Sequence, residues 1–225
     1  PAMKSLSGGF VVTCCGGPGP LGYKETFINN HLIDRAIRLA FRDGGIEPLR
    51  YPFAPDGSDE RQYSSPGFRI PVASITKDKY YEYPQYHTSM DNLGFVTGSQ
   101  LFESFRIYED VIRIIDANCL IRSRLPNGEA QLGRRSLYPS IGGAIKQGAA
   151  GADIGLDQQS QVDLMSWILF LADGTHDLVA IAEKSQFEYT AIQGCVAVLL
   201  ENDLIELAPS VPVDSKRKVN QAAPI

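Results

Sequence analysis

The sequence predicts an α/β fold, a mixed sheet covered by helices, that is followed by a small winged-helix domain. In the first half of the chain, short β-branched runs alternate with amphipathic helical patterns, an order typical of a sheet with helical cover. A segment rich in Gly, Ala, Pro and Gln follows, and after it three short helical patterns precede one short strand. We therefore predict an α/β domain at 1–121, a connector at 122–156, a winged-helix domain at 157–209 and a flexible tail at 210–225.

The predicted α/β domain begins with an apolar run that contains Val11 and Val12 behind two glycines, which indicates a buried strand. Its first helix has apolar residues at helical spacing and ends at Gly44, because glycine commonly follows the last turn of a helix. The second long helix has the same spacing and closes near Asn118. In order, the predicted elements are a strand at 8–15, a helix at 29–43, strands at 49–53 and 70–74, and a helix at 101–115.

The predicted winged-helix domain is strongly acidic. Residues 157–208 carry nine acidic residues against a single basic one, Lys184, and the third helix contains no Lys or Arg. Binding a phosphate backbone requires several cations on the binding helix, so the charge favours a protein contact, and we predict no nucleic-acid partner. Thr175 is the predicted N-cap of the second helix. The predicted elements are helices at 162–171, 176–182 and 189–201, and a strand at 204–207.

The composition is that of an ordinary globular protein, with 44% hydrophobic and 21% charged residues among 225. No apolar run approaches the ~18 residues that a membrane-spanning helix needs, so we predict no membrane partner. The first residues lack the apolar core of a signal peptide and enter a strand abruptly, as if another segment usually preceded them. The four cysteines show no C-x-x-C spacing, which favours reduced thiols in the cytoplasm over disulfides or a structural zinc site.

Two polar loops adjoin predicted strands, where α/β sheets place their ligands. The first runs over 57–63 and contains Asp59, and the second runs over 86–91. In the second loop His87 is followed, four residues on, by Asp91. A neutral imidazole nitrogen is a common metal ligand, and a nearby carboxylate can fix its orientation. His87 is therefore a candidate metal ligand, and the alternative is an ordinary loop histidine.

Four stretches, taken in order, resemble one family of metal-dependent peptidases. A Ser-Asp pair with a following Gly-Phe-x-Ile-Pro strand, and then Tyr-His-Thr-x-x-Asp, are similar to the C-terminal half of co-catalytic zinc aminopeptidases. The closer resemblance is to bacterial aminopeptidase-like proteins that end in a winged helix and are often linked to polysaccharide biosynthesis. The resemblance implies a zinc-dependent hydrolase that acts on a peptide or amide-like small substrate. The matching stretches are 57–68, 86–91, 131–139 and 171–178.

The resemblance implies that His87 is the last metal ligand, that Asp91 supports it, and that Asp59 lies at the metal-facing rim as a polar supporting group. At the end of the first strand the family has an aspartate that binds the other zinc, whereas this chain has Thr-Cys-Cys. Either a cysteine thiolate, for which Cys14 is the candidate, substitutes for it, or that metal site is lost. The family's His-x-Asp ligands and its general-base glutamate belong to segments before Pro1, which implies a missing N-terminal half or a partner chain.

Several residues have a structural alternative. Glu60 and Arg61 can be a solvated or locally paired charge cluster, and the tyrosines of 80–86 can pack a long loop on the sheet or line a cleft. Trp167, at helical spacing with two leucines, is predicted to be core. Because catalytic zinc needs at least three protein ligands, a catalytically inactive scaffold for protein binding or assembly is the alternative to the hydrolase. A third possibility, a transcription regulator, requires DNA binding, which the charge disfavours.

Overall fold

The computed structural model describes residues 2–135, 137 and 154–209, which form two sheets with helices packed against them. The predicted tail at 210–225, much of the predicted connector and part of the 131–139 motif lie outside the described residues. In chain order the elements are β1 (Gly9–Phe10), β2 (Gly22–Lys24), α1 (Leu32–Asp43), β3 (Leu49–Tyr51), α2 (Glu60–Tyr63), β4 (Val72–Thr76), α3 (Gly98–Ala117), β5 (Leu120–Ser123), α4 (Gln158–Leu171), β6 (Asp173–Asp177), α5 (Leu178–Ser185), α6 (Tyr189–Glu201) and β7 (Ile205–Leu207).

The first sheet has the strand order β1-β4-β2-β3 and is mixed, as the sequence predicts. β1 runs parallel to β4, β2 runs parallel to β3, and β2 and β4 are antiparallel. Every residue of β4 is buried, so this strand lies at the centre of the domain. The sequence does not predict β2, because its Gly-Tyr-Lys segment has neither an apolar run nor a clear alternation.

The first strand is much shorter than the prediction of 8–15. Only the two residues of β1 are strand residues, and Val12 is exposed. The backbone N–H of Val11 still donates to the carbonyl oxygen of Ala73 at 3.0 Å, but Cys14 then adopts a left-handed conformation with φ of 51°. The strand pairing ends there, although the Cys14 carbonyl still accepts from the N–H of Lys77 at 2.8 Å, so the apolar pattern of this segment does not mark a strand along its whole length.

Both predicted helices of the α/β domain are confirmed as α1 and α3. α1 begins with a capping box, in which the His31 side chain accepts from the backbone N–H of Ile33 and the Asp34 carboxylate accepts from the backbone N–H of His31. Asp34 is fully buried and also accepts from the N–H and the hydroxyl of Thr26, at 2.8 and 2.6 Å. The two helices pack against each other, and both contact β4.

The second sheet has the strand order β6-β5-β7, with both pairings antiparallel. α5 contacts β6, α6 contacts β7, and α4 packs on both helices. α6 covers the predicted 189–201, whereas the sequence does not predict β5 or β6. β5 spans the predicted boundary between 121 and 122, so the chain enters this sheet directly after α3.

Two predictions about this part of the chain are wrong. Thr175 lies in β6 and its hydroxyl is bonded to Asp173, whereas the cap of α5 is Asp177, whose carboxylate accepts from a backbone N–H of the first turn at 2.7 Å. Trp167 is 38% exposed rather than core, because it lies on the side of α4 that also carries the exposed Phe170.

The α/β part and the winged helix share one hydrophobic core and are also joined by charged contacts from α1. The guanidinium of Arg35 donates to the carboxylates of Asp177 and Glu183 at 3.0 to 3.3 Å. Arg42 donates to two backbone carbonyl oxygens, one within α5 and one just after it, at 3.0 and 2.7 Å. α1 therefore supports the first sheet and the winged helix together.

Candidate functional site

His87 lies in the long loop between β4 and α3, with a left-handed backbone φ of 56° and an exposed side chain. Its ring stacks on the ring of Tyr86, with the centroids 4.0 Å apart and the planes 14° apart. The ring of Tyr81 meets it edge-on at 6.5 Å. The imidazole forms no hydrogen bond with any other residue that the structure describes. Stacking therefore holds the ring, and its nitrogens are available to a ligand.

The tyrosines around His87 pack mainly on one another. The ring of Tyr86 contacts those of Tyr81 and Tyr83, with centroids 4.9 and 5.5 Å apart, and Tyr83 stacks on Phe95 at 5.5 Å. Tyr81 is 71% exposed and has a left-handed φ of 67°. Bulky residues rarely adopt this conformation, and such strain concentrates at functional sites. The loop between β4 and α3 contains two non-glycine residues with a left-handed backbone, Tyr81 and His87.

Cys14 is half-buried beside this loop. The Tyr83 hydroxyl donates to Cys14 Sγ at 3.5 Å, which connects the candidate thiol to the aromatic cluster that holds His87. Burial, together with this bond, raises the pKa of the Tyr83 hydroxyl above its usual value, so that it remains a donor. Burial also raises the pKa of the neighbouring Cys15 thiol from 9.0 to about 11, and that thiol donates to two backbone carbonyl oxygens. Cys14, not Cys15, is therefore the thiol next to the candidate site.

Asp59 and Asp91, the two predicted supporting carboxylates, are exposed, and neither forms a hydrogen bond with His87. Asp59 precedes α2, and its backbone carbonyl accepts from two N–H groups of that helix while its side chain forms no cap bond. The backbone N–H of Asp91 donates to the carbonyl of Thr88 at 3.1 Å and so continues the turn of the His87 loop. The roles of both carboxylates toward a metal stay predictions.

A buried polar cluster beside the loop is not predicted by the sequence. The Nζ of Lys24 in β2 donates to Glu60 Oε1 at 3.1 Å, to the Tyr80 hydroxyl oxygen at 2.8 Å, and to the carboxylate and backbone oxygen of Asp56 at 2.8 Å each. The Tyr80 hydroxyl donates to Glu60 Oε1 at 2.7 Å. Glu60 is completely buried, so the solvated alternative for this residue is wrong.

This cluster connects three segments, namely β2, the loop that carries Asp59, and the start of the His87 loop. Burial, followed by the hydrogen bond to Glu60, raises the pKa of Tyr80 above its usual value, which keeps the hydroxyl protonated as a donor. The only signal in the sequence is a lysine at the end of the short run Leu-Gly-Tyr, and such a signal does not distinguish a buried lysine from a loop lysine.

The residues at 2–135 and 154–209 do not include a group of three or more His, Cys, Asp or Glu side chains that could hold a metal ion. Catalytic zinc needs three protein ligands and an open position. The imidazole of His87 and the thiol of Cys14 supply fewer than that. The described residues therefore do not fit a complete zinc site by themselves.

Two further features bear on possible partners. No helix in the described ranges is long and apolar enough to cross a bilayer. In the winged helix, a Cβ atom added at Gly194 of α6 would lie 2.6 Å from a side-chain carbon of Ile154. Ile154 therefore covers part of the outer surface of α6, the third helix of the winged helix.

Comparison with protein families divides the chain at the end of α3. Residues 1–118 match the domain of unknown function DUF4910, and residues 119–207 match a winged helix-turn-helix family. The second match confirms the winged helix predicted from the sequence.

One relative and one solved structure, both from Clostridium acetobutylicum, cover most of the chain. The relative, named a presumed polysaccharide biosynthesis protein with aminopeptidase-like domain, is 35% identical over 205 residues, which are 91% of this chain and 44% of the relative. The crystal structure, of a presumed peptidase, has a TM-score of 0.77 and 32% identity and covers 92% of this chain and 43% of its own. The chain thus spans less than half the length of either protein. The two matches confirm that the chain resembles aminopeptidase-like proteins.

Proposed function

Since the chain belongs to the DUF4910 family and is similar along most of its length to an aminopeptidase-like protein, we propose that it is part of a zinc-dependent hydrolase of peptide or amide bonds. The observation that carries the proposal is the His87 imidazole, which is exposed, stacked on Tyr86 and free of hydrogen bonds to other described residues. An imidazole whose ring nitrogens are free of hydrogen bonds is available to bind a metal.

In this proposal His87 binds the metal, and Tyr86 orients the imidazole through stacking. Asp59 and Asp91 orient and tune the site, and Cys14 is the candidate thiolate ligand. The remaining ligands and the general base come from outside the described residues, either from a preceding segment or from a partner chain. A bound zinc ion would polarise the substrate carbonyl and lower the pKa of a bound water.

We further propose a peptide or amide-like small molecule as the substrate and the cytoplasm as the compartment. The compartment is supported by the four cysteines, which are all free thiols. We propose no nucleic-acid partner, because α6 lacks basic residues and part of its surface is covered by Ile154. A gel-shift assay at low salt tests this, and a retarded DNA band would contradict it.

The zinc proposal is tested on the complete product of the gene that encodes this chain, by zinc analysis and by an assay with aminoacyl amide substrates. We expect His87→Ala to lower zinc content and to abolish hydrolysis. His176→Ala is the matched control, because that histidine is already paired with Asp173 in the winged helix. A wild-type protein that contains no zinc, or a His87→Ala variant with full activity, would contradict the proposal.

A catalytically inactive scaffold that acts in protein binding or assembly is the second candidate. It is supported by the absence of a three-ligand group from the described residues and by the acidic winged helix. The same zinc measurement separates the two functions, because the scaffold requires no metal and tolerates His87→Ala.

A further inference from the structure

α3 carries apolar side chains on two of its faces. The inner face packs into the core, and the other face is open to solvent. Leu101, Phe105 and Ile112 are spaced by four and seven residues, so they form one stripe along the outer face, and Phe102 extends it by stacking on Phe105 at 6.2 Å. The opposite side of α3 is charged, so the apolar surface of the helix extends past its buried face on one side only. We call Leu101, Phe102, Phe105 and Ile112 the outer stripe of α3.

The outer stripe continues into the His87 loop. A Cβ atom at Gly16 would lie 2.5 Å from Val96 and 3.1 Å from Leu101, so the end of the loop and the start of the stripe meet at this glycine. Leu93, three residues before Val96, is 91% exposed. Single exposed apolar residues need no explanation, but a continuous apolar surface of this kind usually marks a contact with another polypeptide.

β1 presents a second unpaired feature. It is the end strand of its sheet and pairs only with β4 among the described residues. The N–H groups of Gly9 and Val11 donate to β4, and because successive residues of a strand alternate in direction, the peptide groups of Phe10 and Val12 face the other way. An open strand edge is a template for a further strand.

The free edge of β1 and the outer stripe lie next to each other. The Tyr108 hydroxyl of α3 donates to the carbonyl of Val11 at 3.1 Å, and the Phe10 ring meets the Tyr108 ring edge-on at 5.7 Å. At 100° per residue, the stripe residues Leu101, Phe105 and Ile112 adjoin Tyr108 on the surface of α3. The same hydroxyl also bonds the backbone N–H and carbonyl of Ile75 in β4, so α3 lies over the β1–β4 pair with its outer stripe beside this contact.

We propose that the free edge of β1 and the outer stripe of α3 form one docking surface for a further α/β segment. Its occupant is the part of the aminopeptidase-like domain that the longer relative carries outside the matched 44% of its length. A strand of that segment extends the sheet past β1, and its apolar side chains pack beneath Phe105 and Ile112. This surface is independent of metal binding, although the same segment is the one expected to bring the missing zinc ligands.

Hydrogen exchange tests the proposal on two proteins, the 225-residue chain and the complete gene product. We expect the backbone N–H groups of Phe10 and Val12 to exchange at least about tenfold more slowly in the complete product, because strand pairing protects them. Equal exchange in the two proteins would overturn the proposal.

A substitution provides the second measurement. Phe105→Glu should leave the Tm of the 225-residue chain nearly unchanged, since the side chain is 57% exposed there, and should lower the Tm of the complete product by about 5 °C or more. Phe170→Glu is the matched control, since that side chain is also exposed but lies on α4, and it should affect both proteins equally.

Sedimentation and hydrogen exchange identify two other possible occupants. A dimer of the 225-residue chain that Phe105→Glu dissociates would show that a second copy covers the surface, and protection that is lost when the chain is shortened to Pro209 would show that residues 210–225 cover it. Either result overturns the proposal. Zinc analysis of the same samples separates this inference from the proposed function. Slow exchange at β1 in a protein that contains no zinc would contradict only the proposed hydrolase.

Discussion

The hydroxyl of Tyr80 donates to the Glu60 carboxylate at 2.7 Å inside the protein, and Lys24 donates to both at 2.8 and 3.1 Å. Tyr80 is followed directly by Tyr81, whose ring contacts the rings of Tyr86 and His87. A buried ion pair in β2 and α2 is thus connected by a short run of contacts to the candidate metal ligand. The loop is exposed, but Tyr80 near its start is anchored in the interior.

The buried pair should dominate the stability of this region. Glu60→Ala leaves the Lys24 ammonium buried with a single exposed carboxylate, that of Asp56, and we expect a loss of about 3–5 kcal/mol in the free energy of unfolding. Asp56→Ala removes the exposed partner and should cost less than about 1 kcal/mol. Urea unfolding of the 225-residue chain measures both variants. Equal losses of unfolding free energy in the two variants would contradict a larger contribution of Glu60.

Stacking on Tyr86 should fix the plane of the His87 imidazole. Tyr86→Leu removes the ring, and we expect the carbon-bound proton resonances of His87 to lose their ring-current shift, with a loss of about 0.5–1.5 kcal/mol in stability. Tyr86→Phe retains the ring and should behave like the wild type. In the complete gene product, zinc affinity should fall about tenfold in the leucine variant only. Unshifted His87 resonances in Tyr86→Leu would show that the stack is absent in solution.

Arg35 should be a principal contact between α1 and the winged helix. Arg35→Ala removes charge-assisted bonds to Asp177 and Glu183, and a loss of about 2–3 kcal/mol in unfolding free energy is expected. Arg113→Ala removes an exposed pair with Glu109 on one helix and should have a much smaller effect, because solvent screens that pair. Thermal unfolding compares the two variants, and a larger effect of Arg113→Ala would be incompatible with the structure.

Stability should decline at alkaline pH because two buried thiols resist ionisation. Burial raises the pKa of Cys15 from 9.0 to about 11 and that of Cys195 to about 12. Above pH 9 the unfolded chain therefore binds fewer protons than the folded protein, so the free energy of unfolding is highest below pH 9 and falls as the pH rises toward 11. Chemical denaturation at several pH values measures this slope. Cys195→Ala should make it shallower, and an unchanged slope would show that other groups cause it.

The long helices could be predicted from the sequence, because apolar spacing reports which face of a helix is buried, whereas β5 and β6 could not. The first strand could not be delimited, since the left-handed turn at Cys14 has no signature in a run of apolar residues. β2 could not be predicted either, because its last residue, Lys24, is stabilised by groups that lie 32 or more positions further along the chain. Contacts between residues so far apart in the chain leave no local pattern in the sequence.

At the candidate site, the motif identifies His87 but not the groups around it. The histidine stands in a recognisable run of residues, whereas its orientation depends on the packing of Tyr81 and Tyr86, which spacing does not reveal. Glu60 shows the same limit, since a carboxylate within a charged run such as Asp-Glu-Arg is normally solvated and here is buried. The residue types could be read from the sequence, and their surroundings could not.

The junction between α3 and β5 consists of Asn118 and Cys119 alone. The Asn118 side chain donates to the carboxylate of Asp177 and accepts from the backbone N–H of Val179, both at 3.1 Å, and the Cys119 carbonyl accepts from the N–H of Leu178. Both residues of the junction are thus hydrogen-bonded to the start of α5, which fixes the connection between α3 and β5. Because these bonds hold both residues, we expect α3 and the winged helix to move together as one rigid body, so that a rotation of α3 would carry the acidic winged helix with it.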